Sequence, residues 1–292
     1  MYKTINPSEI SAAALQGYLQ GAIAPRPIAF ASTIDKNGTV NLSPFSFFNM
    51  FSTKPPILIF SPARRVRDNT TKHSLENVLE ISEVVINVVN YDLVQQASLA
   101  STEYEKGVDE FVKAGLTALP SVFVKPPRVA ESPVSFECKV TQVMPLGNEG
   151  GAGNLIFCEI LLMHIKEEIL NDKGQILPNK IDLVARLGGD WYCRASGNAL
   201  FEVAKPLTTK GIGIDQLPEH IKHSNILTGN NLAQLANIEK MPTITTLIDV
   251  EIDMEIEIAI ENNSSYETKF HHAKALLDNG ESILKAWKIL LV

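Results

Sequence analysis

The feature that most constrains this chain is a succession of strand-like runs between residues 28 and 165 that never settles into a βα rhythm. The first run, 28–34, ends at Asp35-Lys36-Asn37-Gly38, and strand-like residues resume over 39–42. Two such runs around a turn ending in Asn-Gly predict a β-hairpin. Further strands are predicted at 57–60, 83–89, 134–143 and 155–165, with helical connectors at 69–79 and 92–100. Pro55-Pro56 ahead of the 57–60 run marks a strand start and not a central strand. Many short strands without regular crossover helices favour a barrel over a doubly wound sheet. The Gly-rich stretch 147–153 separates two strands and reads as a flexible hairpin loop. A phosphate cradle would need a helix directly after it.

The ends have a different texture. Asn6, Pro7 and Ser8 open a predicted short helix to about Tyr18, with Glu9 near its start, where the helix dipole favours an acid. From about Lys205 the chain reads as an extension, with helices predicted at 266–277 and 282–290 around a C-cap-like Asn279-Gly280. Segment 248–261 leaves two readings open. Its apolar–acidic alternation has the period of a strand, yet Glu is a good helix former. The expectation is a mainly β barrel domain over 1–204 and a largely helical extension over 205–292.

Composition narrows the function classes. A net charge of −7, spread over most of the chain, argues against nucleic acid or an anionic membrane as partner. No apolar run approaches the roughly 20 residues that span a bilayer, and the N-terminus lacks a signal-peptide core. Cys138, Cys158 and Cys193 are widely spaced with no C-x-x-C pair, which argues against a disulfide framework and against a zinc site. They read as small hydrophobes of a protein expected in the reducing cytoplasm.

Two stretches carry chemistry. Asn41-Leu42-Ser43-Pro44-Phe45-Ser46-Phe47-Phe48-Asn49-Met50 leaves a strand with hydroxyls, an amide and aromatics in close succession. Such a mixture suits a flat ring with one polar edge, and equally suits ordinary core with turn formers. The second, residues 61–74, holds Arg64, Arg65, Arg67 and Lys72 with Ser61, Thr70, Thr71 and Ser74, in an otherwise acidic protein. Cations and hydroxyls at a helix start form a ready phosphate site. The competing reading is a solvated basic loop paired with local carboxylates.

Taken together, Pro25-Arg26-Pro27-Ile28-Ala29-Phe30-Ala31-Ser32-Thr33, the 41–49 stretch, Pro55-Pro56 and Lys72-His73-Ser74-Leu75-Glu76-Asn77-Val78 resemble the flavin reductase-like, FMN-binding family. Asn87, in its strand, fits the same pattern. The resemblance spans roughly residues 20–200, and Gly188-Gly189-Asp190-Trp191-Tyr192 and Leu217-Pro218-Glu219-His220-Ile221 resemble its long-tailed members. The family's usual Lys-Asp-Thr is replaced by Lys72-His73-Ser74, which keeps cation and hydroxyl but leaves any role of the acid in doubt.

The resemblance implies a split β-barrel homodimer that encloses FMN near the subunit interface. It assigns Ser43, Ser46, Phe47 and Asn49 to the isoalloxazine and ribityl chain, and Ser61, Arg64, Lys72 and Ser74 to the phosphate. Arg26 and His73 join the cofactor-binding set. His164, which faces opposite to Met163 and Ile165, is the candidate catalytic residue near a nicotinamide. The implied activity is hydride transfer from NADH or NADPH through FMN to flavin, oxygen or another acceptor. A carrier without turnover and an oxidase or oxygenase are the rivals. No Gly-x-Gly-x-x-Gly opens a helix after a strand, and the resemblance implies a nicotinamide bound loosely on the flavin face.

Overall fold

In a computed structural model, residues 1–207, 210–262 and 265–291 are described, and they divide into two compact units, Met1–Leu200 and Phe201–Val292. The first unit contains α1 (Ala12–Ala22), β1 (Ala29–Ile34), β2 (Val40–Phe45), β3 (Phe48–Thr53), β4 (Pro56–Phe60), α2 (His73–Glu80) and β5 (Glu83–Val88). It continues with α3 (Val94–Leu99), α4 (Glu110–Ala114), β6 (Ala118–Leu119), β7 (Arg128–Val129), β8 (Val134–Pro145) and β9 (Asn154–Ile165). It ends with α5 (Pro178–Ile181), β10 (Leu183–Arg186) and β11 (Tyr192–Ala195).

Seven strands form one sheet in the order β2-β1-β5-β8-β9-β4-β3, and each neighbouring pair is antiparallel. The two edge strands, β2 and β3, are joined by only Ser46 and Phe47. Two residues cannot cross the width of a seven-stranded sheet. The sheet must therefore curl until its edges meet, and because those edges do not pair, the barrel keeps an open seam. The 41–50 stretch lies on that seam.

Alternation along the strands explains the packing. Ala29, Ala31, Phe45, Phe60, Ile86, Cys138, Ile156 and Cys158 face one core, into which α2 lowers Leu75 and Val78. Phe30, Leu42 and Val89 face another, covered by Leu93, Ala97, Phe111 and Val184. β1 is buried along its whole length, its two polar residues Ser32 and Thr33 included, so its sequence does not alternate apolar and polar.

Several expectations need correction. Segment 48–53 is a full strand, and β4 lies inside the sheet between β3 and β9. Pro56 can open β4 because it is the strand's first residue. The amino-terminal helix begins later, at Ala12 with Ser11 as cap, after a single 3₁₀ turn at Pro7–Glu9. The 147–153 loop is firmly packed rather than loose. Arg64 N donates to Ala152 O at 2.8 Å, Gly151 N to Arg64 O at 2.9 Å and Asn69 Nδ2 to Asn148 O at 2.9 Å. A Cβ on Gly153 would fall 2.6 Å from Ser61 Oγ, so a side chain there would have to displace that hydroxyl.

The second unit holds α6 (Glu219–Lys222), α7 (Gly229–Ala236), α8 (Met254–Asn262), α9 (Tyr266–Asp278) and α10 (Ile283–Leu291) around a core with Trp287 at its centre. The open segment 248–261 follows a 3₁₀ turn at Thr245–Leu247 and resolves as a short loop and then α8. Ile256 and Ile260, four residues apart, face the core, while Ile258 is half exposed. The alternation was compositional, and helical packing selected among its isoleucines. No described helix is long and apolar enough to cross a membrane.

Candidate flavin site

The seam, the start of α2 and the 61–71 loop come together through specific bonds. Asn41 Nδ2 donates to Ser74 Oγ at 2.8 Å, and Ser61 N donates to the Phe47 carbonyl at 2.8 Å. Phe45 stacks on Phe60 with ring centroids 5.2 Å apart, fixing the end of β2 against β4. Ser43 and Ser46 are half-buried, Phe47 is 40% exposed, and Asn49 is exposed with its Oδ1 accepting from Met50 N at 2.8 Å. Hydroxyls, an amide and an open aromatic face thus line one edge of the barrel.

Some assigned residues do other work. Arg26 spends four of its guanidinium's five N–H groups inside the protein. Nη1 donates to Gln20 O and Ile23 O at 2.6 Å each, Nη2 to Leu187 O at 2.9 Å, and Nε reaches Ser46 Oγ at 3.5 Å. Burial, then the nearby Arg186, lowers its affinity for the proton. Arg26 is a clamp that ties the end of α1 to the seam through Ser46.

Arg64 is likewise committed, with Nε donating to Asn69 Oδ1 at 2.6 Å and Nη2 to Asn69 O at 2.7 Å. Ser74, only 1% exposed, points inward and couples α2 to β2. Arg65 is committed as well, its Nη1 donating to Thr70 Oγ1 at 2.9 Å and to the Thr71 carbonyl, and Ser61 is buried, while the Lys72 side chain is about a third exposed.

Lys72 is the N-cap residue of α2 and its Nζ lies 3.2 Å from Glu103 Oε1. Arg65 Nε also meets Glu103 Oε1, at 2.9 Å, and Arg67 pairs with the same carboxylate. Those partners, Arg65 first, hold Glu103 down at about 2. His73 follows Lys72, half-buried, and burial above all lowers its pKa, with Arg65, Lys106 and Lys72 adding to the effect against Glu76.

His164 lies elsewhere along the sheet. A transverse row runs from Pro44 through Phe30, Asn87 and Ser135 to His164, so β1, β5 and β8 lie between its strand and β2, while β4 alone lies between its strand and β3. Its Nε2 is 2.7 Å from Glu137 Oε1. Glu137 is fully buried and also accepts from Val122 N at 2.8 Å and Phe123 N at 2.6 Å. Burial alone would raise its pKa; the two amides and His164 outweigh that and hold it below the ordinary carboxylate value. With Nε2 directed at Glu137, Nδ1 is the nitrogen left for a ligand.

Sequence reasoning missed Glu103, Asn69 and Glu137. Glu103 and Asn69 sit in loops with no pattern. Glu137 shares the polar phase of its strand with Ser135, Lys139 and Thr141, opposite the core-facing Phe136, Cys138 and Val140, so the pattern reads it as an outward acid.

Comparison with known proteins follows this geometry. A profile of the family described as Flavin reductase like domain matches residues 22–177. An uncharacterized protein of Aquifex aeolicus is 39% identical over 183 residues, covering 63% of this chain and 91% of its own length. One from Halalkalibacterium halodurans is 36% identical over 190 residues, covering 64% and 90%. Among solved structures, nitrilotriacetate monooxygenase component B from Bacillus cereus superposes with a TM-score of 0.65 at 27% identity, covering 70% of this chain and 99% of that one. A protein from Shewanella frigidimarina described by its split barrel domain gives a TM-score of 0.58 at 23% identity, covering 70% and 100%, a likeness of fold alone.

Proposed function

The chain belongs to the flavin reductase like family, its fold a split β-barrel with a helical extension, and from that premise we propose that it is an FMN-dependent oxidoreductase fed by NADH or NADPH. The observation that carries this reading is the seam: ring-binding hydroxyls, amide and aromatic on 43–49 adjoin the only stretch where three cations converge among the described residues. The donor set fits a flavin. Bound there, FMN would supply hydride acceptance and onward electron transfer.

The chain's own residues hold and orient. Ser43, Ser46 and Asn49 offer hydrogen bonds to a polar ring edge, and Phe47 offers a flat apolar face. Ser61, Arg65 and Lys72 hold the phosphate by charge-assisted bonds at the start of α2. His164, oriented by Glu137, is the group we assign to the nicotinamide, with Nδ1 outward. Three free cysteines and a nicotinamide donor agree with a cytoplasmic setting. Steady-state assay tests the function: NADH or NADPH oxidation should require both protein and added FMN. Oxidation of neither cofactor, by protein shown to bind FMN, contradicts it.

A homodimer is part of this reading. Met50 and Phe51 stand exposed on edge strand β3, and Leu161 and Met163 on β9. Apolar residues on an open edge call for a covering partner. Light scattering at micromolar concentration should return twice the chain mass, and a monomer that retains FMN would contradict the dimer.

A further inference from the structure

The cations of the 61–74 loop are not waiting in solvent. Arg65, Arg67 and Lys72 converge on one carboxylate, that of Glu103, which lies 31 residues beyond Lys72 on the connection between α3 and α4. The same connection returns a cation to α2: Lys106 Nζ pairs with Glu76 Oε2 at 3.3 Å. Two crosswise ion pairs therefore hold this strap over the helix start. Three cations from one loop around a single anion from another is the donor arrangement of an anion site, filled from within.

A carboxylate is a poorer occupant than a phosphate monoester. It brings one charge and two oxygens, where the phosphate brings close to two charges and three acceptor oxygens to the same donors. Glu103 is side-chain exposed by about a third, so it can swing away without opening the core. It stays ionised throughout the neutral range, so protonation does not remove it and only exchange with another anion does.

We infer that Glu103 is the internal anion of the phosphate cluster, which keeps Arg65, Arg67 and Lys72 arrayed and competes with the cofactor's phosphate, so that it sets the preference for phosphorylated over unphosphorylated flavin. This rests on the reading that the 61–74 loop takes the phosphate. Two anions sharing one cation cluster repel, whether Glu103 leaves or only retreats. Neutralising it should therefore favour FMN and do little for riboflavin, which has no phosphate. An ion-pair network that merely braces the loop makes the opposite demand: removing Glu103 would loosen the cations and weaken FMN.

The experiment is fluorescence titration of full-length wild type, Glu103→Gln and Lys72→Ala with FMN and with riboflavin, at low and high salt. Glu103→Gln should tighten FMN by roughly 3- to 30-fold at low salt, leave riboflavin within about twofold, and lose most of its gain at high salt. Lys72→Ala should weaken FMN by roughly 10- to 150-fold and spare riboflavin. If Lys72→Ala is selective for FMN but Glu103→Gln leaves FMN unchanged or weaker, or tightens both flavins alike, the inference is overturned and the phosphate reading stands. If Lys72→Ala affects both flavins equally or neither, the phosphate reading falls and takes the inference with it. Glu103→Ala is the second variant, with the same sign expected, in case the glutamine chain does not fold.

Discussion

Glu137→Ala should cost the barrel unit about 3–5 kcal/mol, the usual price of breaking a buried charged pair from one side. Glu137 is 0% exposed and serves three donors, Val122 N, Phe123 N and His164 Nε2. Truncation leaves two backbone amides without acceptors, each worth about 1–3 kcal/mol when stranded, and leaves His164 without its anchor. At roughly 2–4 °C per kcal/mol for a unit of this size, the melting temperature should drop by about 6–20 °C. Glu137→Gln keeps one acceptor oxygen and should lose markedly less. A pH series adds a sign. The folded-state pKa of Glu137 lies below its ordinary value, so its contribution is present above the carboxylate range and is lost as pH falls through the folded value. Wild type should therefore lose stability toward acid more steeply than Glu137→Gln. Equal melting of wild type and Glu137→Ala would show that the pair does not hold the 120–127 loop.

Trp287→Ala is expected to be as severe, but in the other unit. Trp287 is fully buried at the centre of the 201–292 core, and its Nε1 donates to the Leu235 carbonyl at 3.1 Å. Large-to-small changes of this kind cost about 3–5 kcal/mol, and here a carbonyl also loses its donor. That is a large fraction of what a unit of some ninety residues can hold in reserve. The chain has two tryptophans, and the other, Trp191, is 76% exposed. Wild-type emission should accordingly contain a blue, buried component that Trp287→Ala removes, leaving the red emission of Trp191. FMN affinity should stay within about tenfold, because every residue assigned to the flavin lies in the first unit. Unchanged thermal unfolding would contradict the placement of Trp287 at the core.

How much of this was legible depends on where the information sits. The hairpin of β1 and β2 was readable because its turn residues and strand residues are contiguous. β8 was readable because residues 134–141 alternate apolar and polar, and β9 because it is a long, nearly continuous apolar run. β3 was hidden because Phe48-Asn49-Met50-Phe51 has no polar alternation to mark it, and two of its three apolar side chains are exposed at a sheet edge. The two stretches singled out for chemistry do meet in space, through Asn41–Ser74 and Phe47–Ser61. What sequence could not resolve was the division of labour among like residues. Arg26 and Arg64 were as attractive as Arg65, and only the backbone path decides that Arg26 meets the end of α1 and Arg64 meets Asn69. The partners that redefine the site, Glu103 and Glu137, are long-range neighbours, and residue type alone does not announce such pairs.

Anaerobic mixing of FMN-loaded protein with NADH, and separately with NADPH, tests most directly the proposal that hydride passes from a nicotinamide to a flavin held at the seam. Prompt bleaching of the flavin absorbance is expected with at least one donor. If neither donor bleaches it while dithionite still reduces the bound flavin, the protein is a flavin carrier or an oxygenase and not a nicotinamide-dependent reductase.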